Sequence, residues 1–225
     1  LGTPTTLSMT NTLKFHSQII LVLIYFCNNT IQAQQLSIPD TVFRQYLLSK
    51  ASINLNADDT LQISEVQQFA GAINVANLGI SDLTGINNFV NLKQLFCQNN
   101  SLQYLNIDSL QELTHLNCNN NLLSTIRFKN NGALHSLSCK NNQLNQLDLK
   151  DNVLLTFLEV SNNQLQQIDL STNIFLNYFS CYKNQISQLN LQNNLLLDHL
   201  NCSDNFLTSL DVRQNTQLSY LSFQK

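Results

Sequence analysis

Five of the six cysteines, Cys97, Cys118, Cys139, Cys181 and Cys202, are separated by 21 residues or by twice that number. Evenly spaced thiols can form disulfides, bind a soft metal or exchange electrons. A second group, Asn54, Asn56, Asp58, Thr60, Gln62 and Glu65, places oxygen donors at positions 1, 3, 5, 7, 9 and 12 of a twelve-residue calcium loop. The match is degraded. Asn54 replaces the usual Asp at position 1, Asp59 stands where the turn wants Gly, and only Asp58 and Glu65 bring ligand charge. A weak structural Ca²⁺ is therefore the one cofactor the chain would hold. A helix-loop-helix turn without an ion is the competing reading, and no other cofactor is expected. His115 and His199 are four 21-residue steps apart, roughly 19 Å at the spacing of sheet strands. They cannot share a metal, and His135 stands alone. Asp148 and Asp169 are one step apart and resemble an acid-base pair, but Arg127, Lys129 and Lys150 nearby describe a solvated charged face. No G-x-S-x-G, H-E-x-x-H, phosphate loop or dinucleotide fingerprint occurs. The chain is not expected to be an enzyme.

The elements that position these groups follow from composition. The 225 residues include 42 Leu and 34 Asn, while charged residues are only 11%, against roughly 25% in an average soluble domain. Excess of two residue types points to an internal repeat. Units begin at Leu92, Leu113, Leu134, Leu155, Leu176, Leu197 and Leu218, always 21 residues apart. Position 4 is Leu or Phe, position 6 is Cys, Val or Phe, and position 11 is Leu or Ile. Position 9 is Asn100, Asn121, Asn142, Asn163, Asn184 and Asn205. Positions 4 and 6 alternate with polar residues, so a short strand points both inward, and stacked coils pair those strands into a parallel sheet. Asn at the corner that follows can bond backbone groups of its own and the neighbouring coil, giving an Asn ladder. The second half of each unit is a near-copy, with apolar positions 14 and 16 and Asn131, Asn152, Asn173, Asn194 and Asn215 at position 19. No helical period separates the halves, so the back face is extended or strand-like.

The cysteines all fall at position 6. In-register Cβ atoms on parallel strands sit about 4.8 Å apart, too far for the ~3.8 Å of a disulfide. Val160 and Phe223 fill the same slot in other coils, so the slot takes an apolar group, and a free thiol serves as one.

This pattern resembles the leucine-rich repeat family, L-x-x-L-x-L-x-x-N-x-L, over residues 92–225. The resemblance implies an α/β fold, a right-handed solenoid with a parallel β-sheet on one face, an extended back face and a small helical N-terminal cap. The segment from Ile73 to Ile86 looks like a 22-residue internalin-type unit with Leu78 at the Asn position. Cysteine ladders and caps of the 36–70 kind resemble those of internalin-like bacterial surface adhesins. The implied role is an exported binding module that recognises a protein or glycan at or outside the cell surface. Two alternatives are the recognition domain of a longer secreted enzyme and an inhibitor of a secreted enzyme.

Domain organisation follows. Residues 1–8 precede Met9 and are expected upstream of the start. Residues 9–33 read as a signal peptide, with Lys14, an apolar core from Ile19 to Cys27 and cleavage near Ala33. Nine apolar residues are too few to span a membrane. Residues 36–70 form the cap, 70–91 a transitional repeat, and 92–225 six complete units and a partial one, which suggests truncation. A net charge of −3 argues against nucleic acid as partner. Outward positions 3, 5 and 7 of the C-terminal units hold Phe157, Glu159, Tyr178, Tyr182, His199 and Tyr220. The matching positions of the second half are polar, with Tyr104 the one aromatic. Exposed aromatics on a rigid sheet mark the expected binding face. Thiol quantification in the unfolded, unreduced chain beyond residue 33 should return about five free groups per molecule, since the slot leaves no room for cross-links. A value near one would mean two disulfides.

Overall fold

Leucine at the fourth position of each unit sets the sheet. It is flanked by residues at positions 3 and 5 that face away from the core, so a three-residue strand forms whose centre is buried in every coil but the last, where Leu221 is exposed. In the computed structural model, which describes residues 34–224, these strands are β2 (Gln94–Phe96), β4 (His115–Asn117), β6 (Ser136–Ser138), β7 (Phe157–Glu159), β8 (Tyr178–Ser180), β9 (His199–Asn201) and β10 (Tyr220–Ser222). With β1 (Ala72–Asn74) from the transitional coil they form one eight-stranded parallel sheet, β1-β2-β4-β6-β7-β8-β9-β10. Register is strict: Leu95, Leu116, Leu137, Leu158, Phe179, Leu200 and Leu221 pair along the sheet. The proposed signal segment at 9–33 and residues 1–8 lie outside the described residues.

The back face is less regular. Only β3 (Tyr104–Asn106) and β5 (Thr125–Arg127) pair there. Later coils keep the apolar inward positions, with Leu149, Leu170 and Leu191 almost fully buried, without pairing into strands. The core is one column of Leu, Ile, Phe and Cys running between the two faces.

The corner asparagines hold the coils together. Asn142 accepts the Leu123 N–H at 3.0 Å and donates to the Cys118 and Cys139 carbonyls at 3.1 and 3.0 Å. Asn121, Asn163, Asn184 and Asn205 repeat these three contacts one coil at a time. Asn100 bonds the transitional coil, accepting from Leu78 and Ile80 and donating to Val75. The first ladder therefore continues into the coil that carries Leu78 in place of Asn.

The cap closes the N-terminal end of the column. Helix α1 (Thr41–Leu48) buries Phe43 and Leu47 and is capped by Asp40, whose Oδ1 accepts the Val42 and Phe43 N–H groups. Its Oδ2 accepts the N–H groups of Ser81 and Asp82 in the transitional coil. Burial opposes ionisation of Asp40, but these backbone donors outweigh it and hold the carboxyl below its ordinary range. Helix α2 is Ile63–Gln68. Gly85, at φ 101°, lets the backbone pass where a Cβ would strike the Ile38 side chain.

Replacing Asn142 with Leu strips the Leu123 N–H of its partner and takes one acceptor bond from each of the Cys118 and Cys139 carbonyls. The expected cost is roughly 2–3 kcal/mol. Chemical denaturation should show it as a lower midpoint with unchanged slope; a midpoint equal to wild type would remove the ladder from the stability argument.

Candidate functional site

Strict register has a direct consequence for the outward face. Side chains at one repeat position stand side by side at about the strand spacing of 4.8 Å, close to the distance at which planar rings stack. Position 3 of the last four coils carries Phe157, Tyr178, His199 and Tyr220, which are Cα partners along β7 to β10. Their rings form a continuous stack, with centroids 4.4, 4.3 and 4.1 Å apart and planes within 11° of parallel. Each such contact contributes on the order of 1 kcal/mol beyond area burial. The stack also closes the facing sides of the rings to any ligand and leaves their edges and polar tips outward. Partial burial, and then the nearby Glu159 carboxylate, push the Tyr178 hydroxyl above its ordinary value. It stays a neutral hydrogen-bonding phenol at neutral pH.

The other two expected residues flank the stack. Glu159, at position 5 of β7, turns one oxygen onto the Ser161 N–H at 3.1 Å. Tyr182, at position 7, is not in the stack; the Lys183 ammonium sits 5.3 Å from its ring centre. The N-terminal half of the same face is polar at position 3, with Gln94, His115 and Ser136. Tyr104 lies on the other face, half-exposed in β3.

The remaining chemistry-bearing groups have structural partners. In the cap loop, one Glu65 oxygen accepts the Leu55 and Asn56 N–H groups and the other accepts the Gln62 N–H. The carboxylate that would clasp an ion bidentately thus closes the loop by itself. Asn54 donates to the Leu48 and Asp58 carbonyls, Asp58 binds Thr60, and Asn56 and Gln62 donate to Asp58. Among the described residues, no three or more His, Cys, Asp or Glu groups assemble as metal ligands. Cys97, Cys118, Cys139, Cys181 and Cys202 are free and buried. Burial pushes the Cys97 thiol up to about 12 and Cys202 to about 11, and it raises Cys118, Cys139 and Cys181 as well. None is a thiolate at neutral pH, so none is a nucleophile.

Asp148 and Asp169 line a shallow back-face concavity of about 640 Å³. Asp148 is held below its ordinary range by the Lys150 N–H and ammonium, and Asp169 by the Ser171 N–H and hydroxyl. Two carboxyls pushed downward cannot supply a general acid at neutral pH. His135 turns to the Ala133 carbonyl and His115 to the Thr114 hydroxyl.

Two features escape the repeat reading. Position 8 takes a left-handed backbone, with φ of 53–57° at Asn99, Asn120, Asn141, Asn162, Lys183 and Asp204. Asn tolerates that region better than most residues, so part of the Asn excess has this cause. Positions 20 and 21 of three consecutive coils hold exposed apolar pairs, Val153/Leu154, Ile174/Phe175 and Leu195/Leu196. The signal is present in the sequence as repeated apolar triplets, hidden because the third member of each is a core Leu.

Comparison with known proteins agrees with this geometry. Residues 38–173 match the family described as the endo-beta-N-acetylglucosaminidase EndoS LRR domain. The functional domain of InlJ from Listeria monocytogenes, whose structure includes a cysteine ladder, is 30% identical, with TM-score 0.64, covering 85% of this chain and 48% of that one. A leucine-rich repeat protein of Leptospira interrogans is 22% identical, with TM-score 0.65 over 72% of this chain and 46% of that one. Internalin C2 from Listeria monocytogenes shares the fold at 18% identity and TM-score 0.59, covering 86% and 98%. The chain thus spans about half the length of the InlJ and Leptospira chains. Comparison with curated protein sequences gave no match.

The cap loop yields a test. Glu65→Gln exchanges a charged acceptor of three backbone N–H groups for a neutral amide, and should cost roughly 1–3 kcal/mol. Calorimetric melting in chelator and in millimolar Ca²⁺ should give the native protein the same midpoint. A rise of several degrees with Ca²⁺ would hand the carboxylate to an ion.

Proposed function

The chain belongs to the leucine-rich repeat family, and on that premise we propose that it is an exported, adhesin-like binding module that recognises a protein or glycan at or outside the cell surface. The observation that carries this reading is the aromatic row Phe157, Tyr178, His199 and Tyr220, with Glu159 and Tyr182 beside it, on a sheet face whose only other Phe or Tyr among the described residues is Phe96. The fold needs nothing apolar there, since Gln94, His115 and Ser136 occupy position 3 in earlier coils. Stacked rings are also held rigid before any partner arrives, so little side-chain entropy is lost on binding. Export is supported by the apolar segment that follows Met9 and Lys14. No helix among the described residues is long and apolar enough to cross a membrane.

A second reading rests on the family match itself, whose description is that of a repeat domain within an endoglycosidase. On that reading the chain is the recognition part of a longer secreted enzyme, using the same face. The part described here contributes binding rather than catalysis in either case. An inhibitor of a secreted enzyme would use the face in the same way.

Immobilised glycans and extracellular proteins, probed with the purified chain, distinguish ligand classes. Tyr178→Ala combined with Tyr182→Ala should weaken the signal at least tenfold, about 1.4 kcal/mol. Circular dichroism should be unchanged, and the melting point should fall only by the few degrees that two lost ring contacts imply. Undiminished binding would move the site off this face.

A further inference from the structure

Positions 20 and 21 of each unit lead from the back face to the next sheet strand. In three consecutive coils they are Val153/Leu154, Ile174/Phe175 and Leu195/Leu196, and all six are exposed, from 38% at Leu154 to 50% at Leu195. The fold does not demand apolar residues there. The equivalent pairs elsewhere are Val90/Asn91, Gln111/Glu112, Gly132/Ala133 and Thr216/Gln217, and of these only Val90 is a large apolar residue. Each pair is followed by a core leucine, Leu155, Leu176 or Leu197, that is fully buried. The two residues before it are therefore held outward by the geometry of the turn. Because β7, β8 and β9 are in register, the three pairs form parallel rows spaced by about 4.8 Å. The six side chains form a bounded ledge, three coils wide, and carry no charge and no hydrogen-bonding group; Thr156, Asn177 and Asp198 border it beyond the core leucines, and Asn177 donates to the Leu196 carbonyl at 3.2 Å.

We propose that this ledge is a self-association surface, on which two copies of the chain meet about a twofold axis through the Ile174/Phe175 row. A twofold contact sets a surface against its own copy, so residue i meets j and j meets i. Here the central row meets itself, and the Val153/Leu154 row meets Leu195/Leu196. Rows of equal spacing on both copies bring all three rows of one against rows of the other at once. Absence of charge matters for the same reason, because like charges brought together by symmetry would repel. The six half-exposed side chains present on the order of 500 Å² per copy, at the upper end of what a monomer leaves to water. Two copies would bury about 1,000 Å², the lower bound for a specific contact. A contact of that size belongs with weak, reversible encounters rather than permanent dimers. The ledge is separate from the ring stack, so this inference stands or falls independently of the ligand-binding face.

Sedimentation velocity on the purified protein, from low micromolar to several hundred micromolar, tests it. The native chain should shift from monomer to dimer across that range. Ile174→Asp combined with Phe175→Asp should stay monomeric, with affinity lowered at least thirtyfold. Leu195→Glu, on an outer row, should weaken association by a smaller factor and serves as the second variant should the double one fail to fold. Phe206→Asp, exposed away from the ledge, should associate as the native chain does. A native chain that stays monomeric throughout overturns the proposal. So does a folded ledge variant that dimerises normally, or an association abolished by Tyr178→Ala instead.

Discussion

A three-residue strand cannot make a stable coil on its own, because the corner that follows it leaves backbone groups facing a hydrophobic column. Burying an unpaired N–H or C=O costs on the order of 1–3 kcal/mol, and the problem recurs at every coil. The position-9 amide solves it: its oxygen takes the N–H of the coil before, and its nitrogen reaches carbonyls of both coils. One side chain thereby satisfies a corner and fixes the distance and register to its neighbour. The back ladder is a weaker version. Asn131, Asn152, Asn173, Asn194 and Asn215 donate to carbonyls of the preceding coil, but their oxygens find no partner among the described residues. That asymmetry matches the architecture: the sheet side is paired from end to end, while the back pairs only at β3 and β5.

Fixed register makes every slot a column of side chains one coil apart, and where like residues fall in a slot the character of the column follows from where it points. Inward at position 6, thiols line up, and burial, then their mutual proximity, keeps Cys118 protonated. Outward at position 3, rings line up and stack. At positions 20 and 21, aliphatic pairs line up into rows. In a globular fold such likeness would need explaining residue by residue. Here a single translation of one coil produces it, so a modest number of apolar substitutions at one slot creates an extended surface.

The sheet, the two Asn ladders and the buried cysteines were legible because each is a statement about period, and the period never slips between Leu92 and Leu218. What period does not encode is conformation within a slot. Left-handed φ at position 8 is invisible in a pattern that already explains Asn at position 9. The same limit applied to the cap loop. Spacing places oxygen donors at calcium-loop positions, but it does not show that the Glu65 carboxylate also accepts the Leu55, Asn56 and Gln62 N–H groups. The candidate face was legible as residue types, but not as a stack, since stacking depends on ring planes. The apolar ledge is masked in the sequence because Leu154, Leu195 and Leu196, which are exposed, directly precede the core leucines Leu155 and Leu197.

Stacking also narrows what the ring face can recognise. Sugars dock on aromatic side chains chiefly through flat ring faces, and within this row the facing sides are occupied by neighbours about 4.1–4.4 Å away. Along the row, a partner meets edges: polarised C–H groups, the Tyr178 and Tyr220 hydroxyls and the His199 imidazole. Edges of that kind suit carbonyl and carboxylate oxygens, which a polypeptide presents along its whole length. Within the proposed binding reading, ring orientation therefore suits a polypeptide better than a sugar along the row.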